Sequence, residues 1–130
     1  MRSVRTAEAV LWFAGLVYIP FGLWALAAPG SVAGLTEVAL PTPTALADGR
    51  AVYGGLTLGL GIFFIFCAVR PETVRAGLLA MFFTLVGPAL GRSIGIVADG
   101  AGSDATFRTL TFELTFMALA LVALWRRSKE

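Results

Sequence analysis

The chain has 130 residues, 58% of them hydrophobic and 14% charged, with a formal net charge of +2. Soluble domains carry about 25% charged residues, so the deficit argues against a water-soluble domain and points to a membrane protein. One cysteine and no histidine exclude an intrachain disulfide framework and remove the commonest metal ligand, so no metal and no cofactor is expected.

A transmembrane helix needs about 20 apolar residues. The apolar stretches predict helices near residues 8–28, 46–69, 74–98 and 105–126. The expected fold is all-α, a four-helix transmembrane bundle forming a single integral membrane domain over residues 1–130. The first stretch is uncharged from 9 to 28 and contains Pro20. It exceeds the roughly 7–15-residue apolar core of a signal peptide and is read as a retained span. Trp12 and Trp24 sit near its boundaries, as an aromatic belt requires, and Glu8 suits the positive end of the helix dipole.

Pro29-Gly30 stops the first helix, and Pro41-Thr42-Pro43-Thr44 is read as an extended approach to the second. Thr42 with Pro43 at the first helical position, or Thr44, is the expected cap. The second span opens with Arg50 and Tyr53 and ends near Cys67, a small apolar helix residue. Ala51, Gly55 and Gly59 recur every four residues, as do Gly87, Gly91 and Gly95 in the third span. Such stripes let helix backbones approach closely. They predict an interface between the second and third helices, or a contact in a homo-oligomer. The tight turn Arg70-Pro71-Glu72 predicts that these two helices form a hairpin.

The third and fourth stretches reach spanning length only by including Arg92 and Glu113. Ionisable groups at that depth are costly and face a protein interior or a watery cavity, with a partner. Glu113 lies about 12 Å, and Arg92 about 9 Å, from the same end of their helices. Each side chain leans toward the N-terminus of its own helix, and these helices run oppositely, so the two head groups converge. Arg50 and Arg108 are shallower and can snorkel. Tyr53, one turn below Arg50, is expected in the same polar cluster of Arg92, Glu113, Arg50 and Tyr53.

Arg2, Arg5, Arg70, Arg75, Arg126, Arg127 and Lys129 all fall at the end of the bundle that carries the termini. Cytoplasmic loops are enriched in Lys and Arg, so both termini are expected in the cytoplasm. The basic ends are topology signals, and nucleic acid is not an expected partner.

The segment Arg50-Ala51-Val52-Tyr53-Gly54-Gly55-Leu56, then Gly59-x-Gly61 and later Gly91-Arg92, resembles a bacterial family of short four-span membrane proteins, domain of unknown function 4345. The resemblance extends over nearly the whole chain, including the Pro-bearing first helix and the Asp99-Gly100 turn. It implies a multi-pass protein of the bacterial plasma (inner) membrane and marks Arg50, Tyr53, Gly54, Gly55 and Arg92 as family-pattern positions. It implies no activity.

Three readings of the polar cluster stand side by side: an ion pair that sets helix register, a site for a lipid-like small molecule, or a proton path through Glu113. The function expected is therefore a non-enzymatic binding or accessory protein with membrane lipid as a partner. The alternative is a small oligomeric proton-coupled transporter using Glu113. Four-span multidrug exporters are similar in size, but their essential carboxylate lies inside the first helix, whereas Glu8 here is at its boundary. No phosphate loop or nucleophile elbow appears, so no enzyme is expected.

Overall fold

The computed structural model describes residues 2–129, and their side chains from Arg5 onward; the Arg2 side chain lies outside what is described. Six α-helices follow in order: α1 (Arg2–Ala27), α2 (Pro29–Gly34), α3 (Pro43–Gly49), α4 (Thr57–Ala68), α5 (Val74–Asp99) and α6 (Asp104–Arg127). A π-helix, Arg50–Leu56, joins α3 to α4 without a break. Among the described residues, four segments are long and apolar enough to cross a membrane: Arg5–Ala27, Pro43–Ala68, Val74–Asp99 and Asp104–Arg127.

Local chemistry sets the helix ends. α1 stops at Ala27, ahead of Pro29, and Pro29 itself starts α2. The connection thus begins as a short helix in which Pro29, Val32 and Ala33 are buried. α2 closes with Glu37 in the left-handed region (φ 61°). The Glu37 amide donates to the Gly34 carbonyl at 3.1 Å and the Val38 amide to the Ala33 carbonyl at 3.0 Å, the bond pair of a Schellman turn. Thr42 caps α3, its hydroxyl accepting from the Ala45 amide at 3.1 Å. Ser103 caps α6 by accepting from the Thr106 amide at 3.3 Å. Arg126 and Arg127 in the last turn of α6 complement its dipole.

The core fills the half of the bundle nearest the termini. Ala7, Leu11, Ala14 and Tyr18 of α1 meet Phe64 and Cys67 of α4, Val74, Leu78, Met81 and Leu85 of α5, and Phe116, Ala120 and Ala123 of α6. The three- and four-residue spacing on each helix makes one apolar stripe. Thr73 secures the turn before α5 by donating to the carbonyls of Arg70 (2.9 Å) and Cys67 (3.3 Å).

The second span lies chiefly along α1 and α5 lies chiefly along α6; the second and third spans touch more sparingly. The glycines that allow the close approach are not the expected ones. A Cβ on Gly22 would stand 2.6 Å from the Leu58 amide nitrogen, and one on Gly61 would stand 2.9 Å from that of Ile19. Gly15 is equally tight against Ile65. Cβ atoms on Gly59, Gly87 and Gly91 would meet nothing within 4 Å, and those on Gly55 and Gly95 only ordinary contacts.

The physical reasons differ. In the π-helix the glycine turned inward is Gly54, packed against Leu26, while the face that carries Ala51, Gly55 and Gly59 is exposed. In α5 the buried face is claimed by Val74, Gly77, Leu78, Met81, Leu85 and Ala89, which leaves Gly87 and Gly91 facing outward.

Candidate functional site

The buried stripe of α5 runs through Leu78, Met81, Leu85 and Ala89 and reaches Arg92 at the next helical step. That of α6 runs from Ala105 through Glu113 to Phe116, Ala120 and Ala123. Both ionisable groups thus sit on core-facing stripes, where the apolar core ends. The Arg92 Nε donates to Glu113 Oε2 at 3.3 Å, and Nη2 donates to Oε1 at 3.1 Å. This is a two-pronged fork, the geometry that gives an arginine–carboxylate pair both strength and direction.

The two partners are unequally sheltered: the Glu113 side chain is 6% exposed and that of Arg92 is 26% exposed. Stripping water from a carboxylate costs several kcal/mol unless its oxygens are re-paired. Both Glu113 oxygens are engaged by the guanidinium, which meets that condition. Arg92 Nη1 makes no hydrogen bond among the described residues, and about a quarter of the side chain is exposed. Below the pair, Tyr18 stacks against Phe112 (6.4 Å between centroids) and lies 6.1 Å from Phe116. Phe112 and Phe116 are themselves 4.4 Å apart, so the three rings form one aromatic cluster next to Glu113 in α6.

Arg50 and Tyr53 lie elsewhere. Arg50 is exposed, and its Nε donates to the Leu26 carbonyl at 3.1 Å. Leu26 is in the last turn of α1, where carbonyls lack an intrahelical partner and a cation suits the dipole. Gly54 belongs to the same junction: a Cβ there would stand 2.9 Å from the Leu26 amide nitrogen. Tyr53 is half-buried and makes no hydrogen bond among the described residues. The π-helix packs on α1, α2, α3 and α4, so the expected four-residue cluster separates into an ion pair and an arginine clamp.

Leu26, Gly54 and Tyr18 were not singled out for these roles from sequence. Only Gly54 carried a signal, its place within the glycine pair that follows Tyr53. The other two act through a backbone carbonyl and a ring face, which composition does not reveal. Arg108 is exposed and has no ion-pair partner among the described residues.

The family described as Domain of unknown function (DUF4345) has a model that matches residues 6–124, so the chain belongs to that family. No curated relative and no solved structure matches the chain.

Proposed function

We propose that this member of the family is a non-enzymatic binding or accessory protein of the bacterial inner membrane, with both termini cytoplasmic. Its Arg92–Glu113 pair would form the polar floor of a recess in the outer half of the bundle. One observation carries the reading: Glu113 is sealed with both oxygens engaged, while Arg92 is about one-quarter exposed with donors to spare. Glu113 holds and neutralises the guanidinium, and Arg92 offers its outer edge to a ligand.

Charge balance selects the ligand class. Glu113 already neutralises Arg92, so a second full anion in low dielectric would be left uncompensated. A neutral acceptor oxygen, such as an ester carbonyl or hydroxyl on an amphipathic molecule, fits better. The basic residues gathered at the terminal end support the orientation.

The test is mass spectrometry of small amphipaths co-purifying with the full chain in mild detergent. Wild type is compared with the Arg92→Gln/Glu113→Gln double variant, which keeps a neutral, hydrogen-bonding pair. Loss of a specific molecule from the variant supports the reading, and identical retained sets overturn it. Proton flux through reconstituted vesicles that disappears with Glu113→Gln would instead establish the transport reading.

A further inference from the structure

At the opposite end of the bundle, the start of α5 and the end of α6 enclose a groove of about 460 Å³, lined by Arg75, Leu79, Leu121, Leu124, Trp125, Arg127 and Ser128. We propose that it binds an anionic phospholipid. The phosphodiester would lie between the guanidinium groups of Arg75 and Arg127, with the acyl chain along Leu79 and Leu121.

The two walls follow from helix geometry. Arg75 and Leu79 are one turn apart on α5, and Leu121, Leu124 and Trp125 share one face of α6, with Ser128 at its C-cap. The groove is therefore cationic at its mouth and apolar along its floor. Its volume falls in the range of small-molecule sites, roughly 300–1,000 Å³.

Arg127 supplies the most specific observation. Its Nη2 donates to the Pro71 carbonyl at 2.9 Å, which fixes the guanidinium. Its Nη1 is buried and has no hydrogen-bond partner among the described residues. A buried donor without an acceptor is costly; turned into the groove that Arg127 lines, it would find its acceptor in an oxygen supplied from outside. Neither Arg75 nor Arg127 has an acidic partner among the described residues; Glu72, in the adjoining turn, is exposed and pairs with neither. The neighbouring cations are turned to aromatic faces instead: Lys129 Nζ lies 3.6 Å from the Trp125 ring centroid, and the Arg70 guanidinium 4.2 Å from that of Phe66.

The apolar floor decides between a lipid and a free phosphate. Leu121 and Trp125 are exposed and continue onto the lipid-facing flank, where an acyl chain is already the solvent. Basic pockets between transmembrane helices are a recurring way of holding anionic headgroups.

The test is native mass spectrometry of the full chain released from nanodiscs containing equal phosphatidylglycerol and phosphatidylcholine. Each cation near an anionic headgroup is worth roughly five-fold in affinity, so wild type should favour phosphatidylglycerol by about 25-fold. Arg75→Gln should reduce that preference about five-fold; Arg75 makes no hydrogen bond or ion pair among the described residues, so its replacement removes no bond from the fold. Arg126→Gln, outside the groove, should leave the preference unchanged.

Three results overturn the proposal. They are no headgroup preference in wild type, an equal loss from Arg126→Gln, which would indicate a diffuse surface potential, and displacement of the lipid by millimolar inorganic phosphate.

Discussion

Gly22 of α1 and Leu58 of α4 approach so closely that a Cβ on Gly22 would stand 2.6 Å from the Leu58 amide nitrogen. The obstructing atom is backbone, which cannot rotate away as a side chain can. The glycine is thus a condition for the first two spans to lie against each other, and it marks where this bundle is least tolerant of added volume.

Gly22→Ala is expected to destabilise by about 3 kcal/mol, the upper part of the range for overpacking. Gly91→Ala should do the opposite, because a Cβ there would meet nothing within 4 Å. It should raise stability by about 0.5–1 kcal/mol through the lower backbone entropy of alanine in a helix. Thermal unfolding of the two variants in the same detergent checks the contrast. Similar shifts for both would show that the α1–α4 crossing is not as described.

The Arg92–Glu113 fork gives a second expectation. Arg92→Ala leaves a buried carboxylate unpaired and should cost about 3 kcal/mol. The Arg92→Ala/Glu113→Ala double variant should lose less than the single one, since no uncompensated charge remains. A double-mutant cycle measures the coupling, and strictly additive losses would rule out a direct pair.

Arg50 fastens the π-helix to the end of α1 through the Leu26 carbonyl. Arg50→Gln should cost about 1 kcal/mol, toward the low end for a charge-assisted bond because the arginine is exposed. The loss should be local. The Ala28 amide, bonded to the Trp24 carbonyl at 2.8 Å, should exchange its hydrogen faster while core amides of α4 are unaffected.

Glu37 occupies a left-handed backbone position at the end of α2, with φ at 61°. Side chains are disfavoured there, and glycine is the residue such a turn prefers. Glu37→Gly should therefore raise stability by about 1 kcal/mol. Equilibrium unfolding measured by circular dichroism reads the change, and a loss instead would mean that the carboxylate has a role beyond the turn.

The helical class, the four spans and the convergence of Arg92 with Glu113 were legible before any coordinates. Each follows from properties that act along a single helix: apolar length, rise per residue and the lean of side chains toward the helix N-terminus. Thr42 and the turn at Gly100, which takes the left-handed position after α5 (φ 69°), could be placed for the same reason, since caps and turns answer to a few neighbouring residues. The break near Pro29 was also legible. The short helix that follows it was not, because α2 is held by the burial of Pro29, Val32 and Ala33 against other parts of the chain.

What depended on tertiary structure was which faces meet. A spacing of four residues marks a stripe on a helix but not which neighbour that stripe will face. Gly54 and Gly61, seven residues apart on one face of the second span, meet α1, while Gly55 and Gly59 do not. Arg50 was drawn to a backbone carbonyl on another helix, an acceptor that every residue carries and no sequence pattern distinguishes. Composition and periodicity determined that the chain crosses a membrane four times and brings one acid to one base. Packing alone decided where the glycines lie and where the second arginine points, because contacts between helices depend on rotations that no single helix encodes.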